Sequence, residues 1–251
     1  MKKILLTAAL ATLSISSFAQ FVNTGFEAPQ FTLGAGTQQN WAFGGGWTIV
    51  NSTATTPNGF GGQMVQLAPT SGTSATNVNN SIGAISGAVY GTGAWTVSTK
   101  IQVKSGSPNS NREFGLSVIG TLDLSSKAQI TLQQNGTVRG TFGDTVIRST
   151  LGTLSGSFLD QWINMSITLD MATRTKSATI NGQTFNLGNW GTLTSGQNIS
   201  EVRFFSQGSV STDLGNAYYD DFAINPVPEP ATLTALGLGA VAMLRRRNKK
   251  A

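Results

Sequence analysis

Trp162-Ile163-Asn164-Met165-Ser166-Ile167-Thr168-Leu169-Asp170, followed shortly by Lys176-Ser177-Ala178-Thr179-Ile180-Asn181-Gly182, decides the fold class. Ile163, Met165, Ile167 and Leu169 alternate with polar residues, the period of two expected of a half-buried strand. Asn181 and Gly182 both tolerate φ > 0, so the pair marks a two-residue hairpin before Gln183. The same alternation recurs through Trp95, Val97, Thr99, Ile101 and Val103, and through Phe114, Leu116 and Val118. It returns in Ile130 and Leu132, in Val202 and Phe204, and in Tyr218, Phe222 and Ile224. Asn135-Gly136, between Leu132 and Val138, predicts a second hairpin of the same kind. Gly44-Gly45-Gly46 and Asn58-Gly59 mark further loops. No helical periodicity is sustained between residues 20 and 226. The expectation is one all-β domain, an antiparallel β-sandwich of two packed sheets. The polar run 105–111 reads as a long hairpin loop.

The two ends of the chain read differently from its body. Lys2 and Lys3 precede an apolar run over residues 4–15, and Ser17-Phe18-Ala19 supplies small residues at −3 and −1. This three-part pattern predicts a signal peptide over 1–19, cleaved after Ala19. The chain of 251 residues carries a formal charge of +5. Seven of its 16 basic residues lie in the two end segments, leaving nine in the body against ten acids. The body is therefore close to neutral, and the basic balance is no sign of nucleic-acid binding. There are no cysteines, so the body relies on its apolar core rather than on disulfides.

From Val227 the sequence runs Val227-Pro228-Glu229-Pro230, then an uncharged apolar stretch over 231–244, then Arg245-Arg246-Arg247. The prolines stop a preceding strand and hold an extended segment. Fourteen helical residues span about 21 Å, short of a hydrocarbon core of about 30 Å. The arginines favour the cytoplasmic side and leave the body outside. These three parts, in this order over the last 25 residues or so, resemble a PEP-CTERM sorting signal. The resemblance implies export across the inner membrane of a Gram-negative bacterium and transient anchoring by a single transmembrane helix. It further implies processing by an exosortase, and a final place at the cell surface or outside. The expected domains are thus 1–19, 20–226 and 227–251.

The body carries a further resemblance. A Trp opening a strand at 162, an Asp closing it at 170 and Asn-Gly at 181–182 resemble a strand pair of concanavalin A-like or laminin G-like sandwiches. Gly25-Phe26-Glu27 and Tyr219-Asp220-Asp221-Phe222 are similar to the two ends of carbohydrate-binding jelly rolls. That similarity implies a structural calcium held by Glu27 with Asp220 or Asp221, in keeping with the need of Ca²⁺ for several oxygen ligands. About 200 residues suit the concanavalin A-like version. Phe222 and Ile224 place the even positions inward, so Asp220 leans to the core edge and Asp221 to solvent. Trp41, Trp47, Trp190 and Tyr219 lie near Gly/Asn-rich turns and are candidate platforms for a sugar ring, with a place in the sandwich core as the other reading of each.

Catalysis has few routes here. With no histidine and no cysteine, the usual Ser-His-Asp, Cys-His and zinc chemistries are excluded. Gly91-x-Gly93 precedes a strand and is not a dinucleotide fingerprint. A pair of carboxylates could still hydrolyse a glycoside, but the acids are dispersed along the chain. The sequence therefore predicts a non-catalytic surface or matrix protein associated with exopolysaccharide or biofilm. A lectin-like module is the alternative, and a polysaccharide-active hydrolase the less favoured one.

Overall fold

The computed structural model describes residues 22–26, 28, 33–34, 36–38, 41–43, 47–51, 62–67, 76–81, 93–105, 111–120, 126–143, 147–189, 199–208 and 215–227. They contain strands and turns and, among the described residues, no helix. The strands form two antiparallel sheets of eight. The first runs β14 (Gln183–Asn189), β13 (Thr175–Ile180), β12 (Ile163–Asp170), β7 (Ala94–Val103), β16 (Ala217–Val227), β5 (Gln63–Leu67) and β4 (Trp47–Asn51). Its eighth strand, β1 (Val22–Thr24), also pairs with β16. The second runs β11 (Arg148–Thr153), β10 (Thr137–Thr141), β9 (Ser126–Gln133), β8 (Glu113–Gly120), β15 (Ile199–Gln207), β6 (Thr76–Ser81), β3 (Trp41–Phe43) and β2 (Gly36–Gln38).

The alternation read in the sequence becomes the core between the sheets. Val97, Ile101, Phe114, Leu116, Ile130, Leu132, Met165, Ile167, Val202 and Phe204 are all fully buried. Phe204 is the hub. Its ring lies 4.6 Å from Tyr219, 4.9 Å from Trp41, and within 6.3 Å of Phe26, Trp47 and Phe222. Mixed edge and stacked geometries of this kind suit the ring quadrupoles and add to the burial of large apolar area.

Two turns differ from each other although both contain Asn-Gly. Asn181 and Gly182 take φ of 48° and 81°, the two-residue hairpin expected between β13 and β14. At Asn135-Gly136 only Gly136 has positive φ, at 87°. The turn is a longer one, closed by Gly136 N–H donating to Gln133 and by the Asn135 side chain accepting from Thr137. The run 105–111 is also corrected. It connects β7 of the first sheet to β8 of the second, so it passes between sheets rather than closing a hairpin.

β16 departs from a simple period of two. Asp220 pairs with Lys100 but Ala223 pairs with Ser98, so two residues of β16 oppose one of β7. Asp221 takes φ of 49° to make this bulge, and Thr99 Oγ1 donates to the Asp220 carbonyl at 2.8 Å. The extra residue reverses which side faces inward. Tyr219, not Tyr218, joins Phe222 and Ile224 in the core. Tyr218 instead accepts a hydrogen bond from Gln66. Asp220, expected at the core edge, is wholly buried, and Asp221 is part-exposed.

Two carboxylates fix loop ends. Asp170 accepts from the N–H groups of Ala172 and Thr173 at 2.9 Å and closes the β12–β13 turn. Asp160 meets the Lys104 ammonium and the Ser105 hydroxyl. Hydrogen bonds from Lys104 and Ser105 hold the Asp160 carboxyl below its usual range, and those from Thr173 and Ala172 do the same for Asp170. The folded state thus favours their ionised forms. That stabilisation is complete above the unfolded value near pH 4 and fades as pH falls through the lower folded values.

Two outcomes follow for urea unfolding. Phe204→Ala costs about 3–5 kcal/mol, while Ile147→Ala, at a side chain 72% exposed, stays within about 0.5 kcal/mol. A double Asp160→Asn, Asp170→Asn variant is less stable than the parent near pH 7, and the difference shrinks as pH falls below about 4.

Candidate functional site

The structure redistributes the residues expected to act. Trp41, Trp47 and Tyr219 are 1%, 0% and 0% exposed and belong to the ring cluster around Phe204. No face of these rings is free for a sugar, which corrects the expectation that they form a platform. They sit near polar turns, but their own positions alternate inward. Trp190 and Glu27 lie outside the described residues. So do Ala19, Pro228, Glu229, Pro230, Arg245, Arg246 and Arg247, while Val227 is the last residue of β16. Asp221 Oδ2 lies 2.8 Å from the Lys100 ammonium, which occupies the place beside that carboxylate that a cation would take. No group of three or more acidic side chains suited to a metal forms among the described residues.

A polar constellation absent from the sequence reading lies on the outer face of the second sheet. Alternation that sends Phe114, Ile130, Val138 and Phe204 inward sends Glu113, Thr131, Arg139 and Phe205 outward. Glu113 accepts from Thr131 Oγ1 at 2.9 Å and pairs with Arg139 through one oxygen and with Arg148 Nε, at 2.8 Å, through the other. Arg148 also donates to Gln207 at 2.6 Å and places its guanidinium 4.8 Å from the Phe205 ring centre. Burial lowers the Arg148 pKa and Arg139 adds to this, against the opposing pull of Glu113.

These contacts also report the shape of the sheet. Arg148 is on β11 and Phe205 and Gln207 are on β15, four strands away. In a flat sheet four spacings would hold their backbones about 19 Å apart, beyond the reach of these side chains. The sheet therefore curls, and its outer face is a concave trough that Arg148 bridges. This explains why Glu113, Ser117, Gln129 and Thr131 are buried although they point away from the core.

A second feature lies where the sandwich is open. β11 and β14 are the edge strands of opposite sheets on the same side. Between them is a solvent-open cleft of about 520 Å³ lined by Phe142, Ser149, Thr150, Leu151, Thr184, Phe185 and Asn186. Leu151 and Phe185 form its apolar floor, and Ser149, Thr150, Thr184 and Asn186 are exposed along its rim. Phe142 is 51% exposed. The sequence signal for it was slight: a lone aromatic before Gly143, just after the last inward residues of β10.

Known proteins agree with the architecture and with the tail. Residues 226–248 match the PEP-CTERM protein-sorting motif. That motif implies an exported protein processed by an exosortase at the membrane. Comparison with curated protein sequences returns no match. Among solved structures the chain is similar to a carbohydrate esterase from Shiga toxin-encoding bacteriophage phi24B. There the identity is 14% and the TM-score 0.55, over 84% of this chain and all of that one. The carbohydrate recognition domain of Emp47p is similar at 10% identity and TM-score 0.52, over 85% and 98% of the two chains. The alginate lyase vAL-1 from Chlorella virus is similar at 15% identity and TM-score 0.50, over 73% and 94%. At such identities the likeness is one of fold, an all-β jelly-roll sandwich. Two of these proteins are enzymes and one is a recognition domain.

Removing the charge at the centre of the trough tests its structural weight. Glu113→Gln leaves two guanidinium groups facing a neutral amide and lowers stability by about 2–3 kcal/mol in urea unfolding. Glu201→Gln, at the part-exposed pair with Arg203, changes it by less than about 1 kcal/mol.

Proposed function

We propose that this chain is an exported exosortase substrate whose folded body is a non-catalytic surface or matrix module that associates with polysaccharide. The observation that carries this reading is the state of Glu113. It is the one carboxylate on the concave face among the described residues that meets two arginines, and both its oxygens are engaged. Glycoside hydrolysis by the usual route requires an acid and a second carboxylate about 5–9.5 Å away. Glu113, bound from both sides, has the form of a strut, and Glu201, the other described acid of that sheet, is itself paired with Arg203. The trough that Glu113 braces is rigid and polar, which suits display of a fixed surface.

The sorting motif supports the same reading from another side. β16 ends at Val227 and the match begins at Pro226, so folded body and sorting segment adjoin without a spacer. Exosortase processing would set the body free, or hand it to the cell surface, within the exopolysaccharide layer of a Gram-negative cell. The likeness to the Emp47p recognition domain favours a lectin-like body as the second reading.

The test uses the full chain purified in mild detergent. Retention on a glycan array, with no shortening of any bound polysaccharide, is the expected result. Turnover that disappears in Glu113→Gln, in protein still folded at the assay temperature, would overturn the non-catalytic reading. In the producing cell, replacing Pro228, Glu229 and Pro230 by alanine leaves a longer, unprocessed form in the membrane fraction, read by immunoblot.

A further inference from the structure

The open side of the sandwich holds an aromatic ring that is both exposed and fixed. Phe142 follows β10 directly, and its ring lies over the backbone of Gly188 in β14. A Cβ at Gly188 would meet Phe142 Cζ at 3.1 Å, and Gly188 takes φ of 79°. Only glycine gives both the close approach and that backbone. Asn186 Oδ1 accepts from the Gly188 N–H at 2.7 Å and holds the bend. From the other side, Gly143 N–H donates to the Leu187 carbonyl at 2.9 Å. The Lys176 ammonium, 3% exposed, donates to the Gly143 carbonyl at 2.6 Å. Gly143, which follows β10 of the second sheet, is thus tied to β13 and β14 of the first.

The rest of the cleft defines what would lie on that ring. The floor is Leu151 and Phe185, and the rim offers hydroxyls from Ser149, Thr150 and Thr184. Because the Asn186 oxygen is engaged by Gly188, its Nδ2 hydrogens are left to donate outward. None of the seven lining residues is charged or titratable near neutral pH. A flat apolar face beside a row of neutral donors and acceptors complements a pyranose, whose C–H face is apolar and whose edge is hydroxylated. Among the described residues the lining offers nothing to pair with a uronate or a sulfate. The cleft is open rather than enclosed, which admits the interior of a chain and not only its end.

We infer that the cleft between β11 and β14 binds an uncharged polysaccharide, with Phe142 as the stacking platform. This inference rests on the reading of the body as polysaccharide-associated and assigns that role to a site outside the trough. Ring and rim are already ordered, so little conformational entropy is lost on binding. With no charge among the described lining residues, affinity is expected to be flat in salt.

Affinity electrophoresis of the full chain in mild detergent, through gels containing dextran, laminarin or hydroxyethylcellulose, tests the assignment, with alginate as the acidic comparison. The expected result is salt-independent retardation by at least one neutral polymer. Phe142→Ala weakens it about tenfold with unchanged thermal melting, and Phe142→Tyr restores it. Thr150→Trp, which fills the cleft, abolishes it. Retardation unchanged in both Phe142→Ala and Thr150→Trp would overturn the cleft as the site while leaving a polysaccharide-binding body. Salt-sensitive retardation by alginate alone, unaffected by Phe142→Ala, would overturn it in favour of the arginines of the trough. Self-association lost in Phe142→Ala, with no polysaccharide bound, would overturn it in favour of a second copy of the chain. No retardation by any polymer would sink the polysaccharide reading itself.

Discussion

Backbone pairing along β16 holds the first sheet together. On one side of the strand lies β7, with β12, β13 and β14 beyond it; on the other lie β5 and β4, and β1 further along. Without β16 the two groups of strands share no partner in that sheet. The same strand supplies Tyr219, Phe222 and Ile224 to the core, so it joins the halves through hydrogen bonds and through packing. The bulge at Asp220 and Asp221 allows both. It lets the inward side change partway along the strand without breaking the pairing with β7.

Much of the fold was legible because alternation is a local signal. Ile163, Met165, Ile167 and Leu169 point inward because consecutive side chains on a strand must point oppositely. The register of Tyr218 was not legible. A bulge inserts one residue, and whether Asp221 adopts positive φ depends on Thr99 and Lys100, more than a hundred residues earlier. The aromatic platform was misplaced for a related reason. Trp41 and Trp47 stand beside glycine-rich turns in the sequence, but their positions on short strands face Phe204. Phe142 stands beside a glycine too, and it ends outside because Gly188, on a distant strand, lies under it. Sequence neighbourhood cannot separate these cases; only cross-sheet partners do.

The trough and the cleft illustrate two ways of treating polar groups. In the trough, Glu113 forms ion pairs with Arg139 and Arg148, and Arg148 spans the curved sheet to Gln207 and Phe205. The charges there hold the curvature, and an incoming ligand would have to displace contacts already made. In the cleft the described polar groups are neutral and rim-exposed, so a ligand meets groups that are open to water rather than locked in ion pairs. A concave sheet face and an open sandwich edge thus divide the roles of brace and recognition surface between them.

The position of β16 at the end of the folded body sets a schedule. A chain threaded across a membrane from its N-terminus presents residues 217–227 last, so the first sheet stays divided until almost the whole body has emerged. Closure of the sandwich and arrival of the sorting segment at the bilayer then fall at nearly the same moment. In such a passage the first sheet could close only once the final strand, next to the sorting segment, is available to pair. Cutting beyond Val227 leaves every pairing of that strand in place, so release need not cost the body its fold.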